Sequence, residues 1–375
     1  MRIVVPKEVA PGEARVALTP SAAGKLVSQG NEVIVQSGAG GHAFPDALYK
    51  DAKAAVEKSV YARAGVVVKV RAPTPEELKQ IPEGATLIAF LQPLTSPDLV
   101  RSLAERRIVS FSLDAIPRIT RAQSLDALSS QATVAGYKAG LIAADALGKL
   151  FPMLMTAAGT VTPAKVLVLG AGVAGLQAIA TCRRLGAVVE AYDVRAAAAE
   201  EVKSLGARFV ELPLETQEGA GGYAREQSEE FLRRQRELLG DHCEQSDVVI
   251  TTALVPGRKA PVLVTREMVE RMKPGSVVVD IAAETGGNVE LTKPGEVIDH
   301  KGVSIHGVVN TAALMPAVAS ELYAKNITNL LALMTKDGEL KPDFSDEVLA
   351  GCCITRDGEV VHEATKKAMG ATTAA

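Results

Sequence analysis

The chain has 375 residues and an apolar content of 47%, enough to fill the cores of two or three domains. A formal charge of −3, an aromatic content of 3% and no Trp leave neither a basic surface nor stacking platforms, which argues against nucleic acid as a partner. The opening MRIVVPKEVAPGEAR lacks a basic n-region, an apolar core and a small-residue cleavage site, so a cytoplasmic protein is expected. Cys182, Cys243, Cys352 and Cys353 show no metal-ligand spacing and read as ordinary buried thiols.

In chain order, the first 115 residues alternate β-branched runs with helical segments: RIVV, a helix over Thr19–Gly30, EVIV, a helical stretch over Asp46–Ala64, then VVVKV, TLIAFL and RIVSFSL. Such alternation predicts a parallel sheet covered by helices. Thr19-Pro20 and Ser96-Pro97 each place a capping hydroxyl before a proline at the first helical position, and Gly30 is a C-terminal stop. Residues 114–130 break the pattern and read as a polar loop. Helical spacing returns over Gln131–Leu150 and bridges to a second series.

That series begins at Lys165: VLVLG, a helix over Val173–Leu185, VVEAYD, a helix near Ala197–Leu205, DVVITTAL, SVVVDIA and VSIHGV. Val166–Cys182 has the hydropathy of a membrane span, but its turn glycines argue against one. Glu218–Gln235 interrupts with a glycine cluster and a charged helix, readable as a flap or as a solvated connection. A helix from Pro316 through Leu333 then carries the chain back. The expected organisation is α/β, with two Rossmann-like, doubly wound, parallel-sheet domains and the cofactor in the cleft between them. Residues 1–130 with 317–375 make the first domain, and residues 131–316 the nucleotide domain.

The chemistry is carried by LVLGAGVAGLQ. Gly170-x-Gly172-x-x-Gly175 follows a strand, opens a helix at Val173, and precedes a strand ending at Asp193. Gly170 permits the tight turn, Gly172 lets backbone N–H groups approach a pyrophosphate, and Gly175 lets the helix pack on its strand. Asp193 is placed to accept hydrogen bonds from the adenosine ribose, which favours NAD over NADP, although Arg195 nearby could accommodate a 2′-phosphate.

The stretches GEARVALTP, PRITRAQSLDALSS, TAAGTVTPAKVLVLGAGVAGLQ, GAGGYA, VITTALVPGRKAPVLVT and VVVDIAAETGGN resemble the NAD(H)-binding component of proton-translocating nicotinamide nucleotide transhydrogenase over nearly the whole chain. The resemblance implies a homodimer working with an NADP-binding component and a membrane-spanning component, peripheral to the inner membrane. It also implies an Arg–Gln–Asp loop of Arg118, Gln123 and Asp126, with Ser129 close behind, in the catalytic role. NAD contacts are implied at Ile119 and Thr120, at Gly172 and Val173, at Asp193, Val194 and Arg195, at Gly222 and Gln235, and at Leu254. Tyr223 would ride on the flap.

Alanine dehydrogenases share this architecture, and the resemblance places their amino-acid site at Arg15, Arg71, Gln92 and Glu284 of this chain. Where that family has a histidine, this chain has Gln92, which cannot move protons as oxidative deamination requires. His42, His242, His300, His306 and His362 read as loop or strand-end residues. If the acceptor is a second nicotinamide, hydride passes from ring to ring and no acid or base is needed. An amino-acid dehydrogenase and a non-catalytic NAD sensor are the alternative readings.

Overall fold

The computed structural model describes residues 1–211, 229–255 and 257–372, which divide into two compact units: Met1–Gln131 with Ala313–Ala375, and Ala132–Ala312. The expected tyrosine and glycine of the flap, Tyr223 and Gly222, lie outside the described residues.

In the first unit the sheet runs, from one edge to the other, Ala55–Glu57, Glu32–Gln36, Arg2–Val5, Val66–Val68, Thr86–Ala89, Val109–Ser112, Cys353–Arg356 and Glu359–Val360. The first six strands are parallel, in the order 3-2-1-4-5-6, and the last two add antiparallel. Because successive strand residues face opposite sides, Ile3 and Val5 enter one core with Val33 and Val35, while Val4 joins Ile34, Val67 and Leu87 in another. The helix Pro316–Met334 lays Tyr323, Ile327, Leu330, Leu331 and Met334 on the first of these cores. Each fully buried aliphatic side chain contributes about 1.5–3 kcal/mol.

The second unit repeats the order. Arg208–Phe209, Val188–Tyr192, Lys165–Leu169, Val248–Thr251, Val277–Asp280 and Val303–Gly307 are parallel neighbours, and Val297–His300 forms an antiparallel edge. Among the described residues no helix is long and apolar enough to cross a membrane. The four cysteines are buried thiols, and burial pushes Cys182, Cys243 and Cys352 up to about 12 and Cys353 up to about 11, which removes them as nucleophiles near neutrality.

Several local expectations change. The helical reading of Asp46–Ala64 gives way to a short helix Asp46–Asp51, an edge strand Ala55–Glu57 and a 3-10 turn Tyr61–Arg63. Lys53 at φ 65° ends the helix, and pairing with Glu32–Gln36 then outweighs helix propensity. Thr19 caps its helix through its side chain, accepting from Ala22 N, whereas Ser96 makes no such bond. The bridging helix starts at Ala127 instead of Gln131 and ends at Ala146. His242 lies within the helix Glu229–Gln245, paired with Glu190 at 2.7 Å, and His306 lies inside a strand.

Candidate nucleotide site

The glycine turn lies at the carboxyl end of Lys165–Leu169, where the strand order reverses and parallel α/β sheets bind ligands. Gly170 has φ 98°, and a Cβ there would sit 2.8 Å from Thr252 Oγ1. At Gly175 a Cβ would sit 1.8 Å from the Gly170 carbonyl oxygen, so the helix Val173–Arg184 packs on the strand only with glycine at that position. Gly172 is different, because a Cβ there would meet nothing within 4 Å. The fold does not itself demand a glycine at 172. A close external ligand would.

The site fits a dinucleotide on that observation and on the helix start. Gly172 is the N-cap of Val173–Arg184 and supplies no side-chain cap, so the first-turn amides and the positive end of the helix dipole face a region suited to a pyrophosphate. Val173 is exposed beside it. Asp193 closes the turn from the next strand: its Oδ2 accepts from Ala171 N at 2.8 Å, and its Oδ1 accepts from Arg195 N at 2.8 Å. The Arg195 guanidinium also holds both Asp193 oxygens, through Nε at 2.9 Å and Nη2 at 3.0 Å. Val194 packs partly buried against the second core of this unit.

A third side of the turn was expected only at Leu254, through the resemblance, and the residues that shape it were not singled out. Thr252 Oγ1 donates to the Gly170 carbonyl at 3.0 Å. The next residue, Ala253, has both its backbone groups held by the buried Asn288 side chain, N to Oδ1 at 2.9 Å and O from Nδ2 at 2.9 Å. Asn288 is in turn fixed by the buried carboxylate of Asp280, which accepts from Ala282 N, Asn288 N, Val289 N and Thr292 Oγ1. Leu254 projects from this braced segment and is exposed. The one sequence signal for Thr252 is its place at the carboxyl end of a strand. Gln235 is buried, and its Nε2 donates to the Tyr192 hydroxyl at 2.9 Å, so it ties the helix Glu229–Gln245 to the strand before Asp193.

In the first unit, Arg118 and Thr120 are exposed and Ile119 packs half-buried against the core. Gln123 is exposed within a 3-10 helix, Thr120–Leu125. Asp126 and Ser129 are brought together: Asp126 accepts from Ser129 N at 2.9 Å and from Ser129 Oγ at 2.6 Å, the geometry of an N-cap for Ala127–Ala146. The loop is pinned by Arg121, whose guanidinium pairs with Asp346 at 2.6 and 3.0 Å, and by Asn326 and Asn329, which both donate to Ser124 O. The Arg121 guanidinium holds the Asp346 carboxyl down at about 2.

The residues matching the alanine dehydrogenase site are differently engaged. Arg15 is buried, with Nε and Nη2 on the two oxygens of Glu13 at 2.8 and 2.7 Å and Nη1 on Gln131 Oε1 at 2.9 Å. Arg71 Nε reaches the same Glu13 at 3.1 Å. Gln92 is exposed at φ 50°, its backbone N donating to Asp114. Glu284 lies in the 3-10 turn Ala283–Thr285 of the second unit.

Residues 4–135 match the family described as alanine dehydrogenase/PNT, N-terminal domain, and residues 139–363 match alanine dehydrogenase/PNT, C-terminal domain. The chain belongs to the alanine dehydrogenase/PNT family. Within it the chain is 47% identical to an NAD(P) transhydrogenase alpha subunit of Rhodospirillum rubrum over 97% of its length and 98% of the relative's. The solved transhydrogenase of Sinorhizobium meliloti superposes with a TM-score of 0.88 at 45% identity, covering 96% of this chain and 100% of that one. An L-alanine dehydrogenase superposes with a TM-score of 0.84 at 27% identity, covering 99% of each. The two Rossmann-like folds are therefore those of transhydrogenase and alanine dehydrogenase, and the transhydrogenase side is nearer in sequence.

Proposed function

We propose that this chain is the NAD(H)-binding subunit of a proton-translocating transhydrogenase, passing hydride from NADH to NADP⁺ held by a partner subunit. The observation that carries this reading is Gln92: a group without a titratable proton stands where an amino-acid dehydrogenase of this family needs a histidine. The name of the Rhodospirillum rubrum relative, a transhydrogenase subunit, supports the same reading.

Bound NADH supplies the hydride. The chain's own residues bind and orient it: the amides opened by Gly172 receive the pyrophosphate, Asp193 takes the adenosine ribose with Arg195 beside it, and Leu254 presents an apolar surface. Arg118, Gln123, Asp126 and Ser129 are assigned to the nicotinamide end, where amide and carboxylate groups orient the ring without changing its proton count. Gln123 suits the task because it is exposed on a segment whose neighbours Ser124 and Arg121 are tied down. Its partners are assigned as an NADP-binding component, a membrane-spanning component and a second copy of the chain, with the assembly on the cytoplasmic side of the inner membrane.

The test is single-turnover hydride transfer with a separately made NADP-binding partner and NADP⁺. Gln123→Asn shortens the side chain without changing charge, so the rate is expected to fall about tenfold while the NADH dissociation constant moves only a few fold. The wild-type hydride step should be nearly flat in pH through neutrality. A bell-shaped profile, or an unchanged rate in Gln123→Asn, would defeat the reading. NAD reduction driven by an amino acid alone would instead select the dehydrogenase, and tight NADH binding with neither activity would select a sensor.

A further inference from the structure

Asp193 is expected to take the ribose hydroxyls, yet its carboxylate is already engaged. A carboxylate has about four in-plane acceptor positions. Four protein donors fill them: Arg195 N and Nε on Oδ1, and Ala171 N and Arg195 Nη2 on Oδ2. The Asp193 side chain is 8% exposed and that of Arg195 28%, so the guanidinium also screens the carboxylate from solvent.

The four donors are not equivalent. Ala171 N and Arg195 N are backbone groups built into the turn and the strand end. The other two belong to one side chain with several rotatable bonds, so their positions are not fixed by the backbone. Nε and Nη2 lie at 2.9 and 3.0 Å from the two oxygens, which is where hydroxyl oxygens of a ribose diol would have to stand.

Building on the assignment of the glycine turn as the NAD site, we propose that Arg195 is a specificity-determining residue that competes with the ribose for Asp193. In the arrangement seen here its Nε and Nη2 occupy the positions of the 2′- and 3′-hydroxyls. NADH binds only when the guanidinium withdraws, so its apparent affinity is lowered by the fraction of molecules in which Asp193 is covered. The withdrawn guanidinium stays beside the ribose, on a chain anchored two residues from Asp193. There it offers a planar fork for a 2′-phosphate and narrows the preference for NADH over NADPH.

This predicts an unusual sign. Removing a cation from a site for a polyanionic nucleotide ordinarily weakens binding. Here Arg195→Gln should tighten NADH, because the competitor is gone, and weaken NADPH, because its phosphate partner is gone.

The test is calorimetric titration of the full chain with NADH and with NADPH, for wild type, Arg195→Gln and Arg195→Lys. Arg195→Gln is expected to lower the NADH dissociation constant about threefold or more and to raise that of NADPH about tenfold. Arg195→Lys keeps the charge but loses the fork, so NADH should tighten while NADPH weakens by less than in the glutamine variant. Weaker NADH binding in both variants, or equal shifts for the two nucleotides, would overturn the proposal. If Arg195→Gln does not fold, the lysine variant decides by the same sign for NADH. The underlying assignment fails separately: wild type binding neither nucleotide, or Gly172→Ala leaving NADH affinity unchanged, would remove the site itself.

Discussion

The two units share one strand order but do opposite things at the place where that order reverses. In the second unit the reversal is lined by the Gly170–Gly175 turn, whose middle glycine opens toward space and whose helix start carries no side-chain cap. In the first unit the corresponding place, at the carboxyl ends of Arg2–Val5 and Val66–Val68, is filled by charge. Lys69 is fully buried between Glu77 at 2.8 Å and Glu8 at 3.2 Å, and Glu8 accepts from Val70 N at 2.6 Å, stitching one strand end to the other. Tyr61 donates to Glu77, and Tyr323 donates to Lys69 O. Burial pushes Glu8 up against the pull of Lys69. Burial also works on Glu77, but its bonds from Lys69, Thr74 and Tyr61 outweigh that and hold it down. The shared strand order leaves one crevice open and the other filled, so what each can hold is decided by the residues grafted on it.

Breaking the filled crevice should have the largest effect on stability. Lys69→Met leaves two buried carboxylates without their cation, and is expected to cost about 3–5 kcal/mol in urea unfolding. NADH affinity of the folded fraction should hardly change, and a large loss would mean that this crevice takes part in binding after all.

Gly175→Ala comes next. Its Cβ cannot stand 1.8 Å from a carbonyl oxygen, so helix and strand must part, at about 2–3 kcal/mol, with loss of NADH binding. Gly172→Ala sharpens the contrast: stability should stay within about 0.5 kcal/mol, since the new methyl meets no protein atom, while the NADH dissociation constant rises roughly tenfold. If both variants lose stability equally, the two glycines do not differ in the way their surroundings indicate.

Asp126→Ala removes the cap of Ala127–Ala146 and should cost about 1 kcal/mol. The smallest effect is with pH. Burial lowers His306 and His362 below the usual 6.5, so between that value and their folded values the unfolded chain binds protons that the native chain does not. Stability should therefore fall as pH drops below about 6.5, and the urea midpoint of the variant His306→Gln/His362→Gln should vary less over that range.

The glycine turn was readable because its requirements are local. A positive φ at Gly170 and a backbone approach at Gly175 are demands on single residues at fixed spacing, and the following strand places Asp193 by length alone. The loop at residues 118–129 was readable only as polar, because what shapes it comes from elsewhere: Asp346 grips Arg121, and Asn326 and Asn329 grip Ser124, from about 200 residues further along the chain. The same holds for the edge strand Ala55–Glu57, where sheet pairing overrode a helical pattern.

By itself, then, the sequence determined the alternation of strands and helices, the glycine turn and the absence of metal-ligand spacing among the cysteines, because each depends on residue type and short spacing, whereas the significance of Gln92 came from the family resemblance. Tertiary structure alone decided that Arg195 covers Asp193, that Asp126 caps a helix, that Asn288 and Asp280 brace the segment before Leu254, and that Lys69 joins Glu8 to Glu77. Those pairings turn on directions and distances between side chains that the folded backbone brings together, and residue spacing along the chain does not encode them.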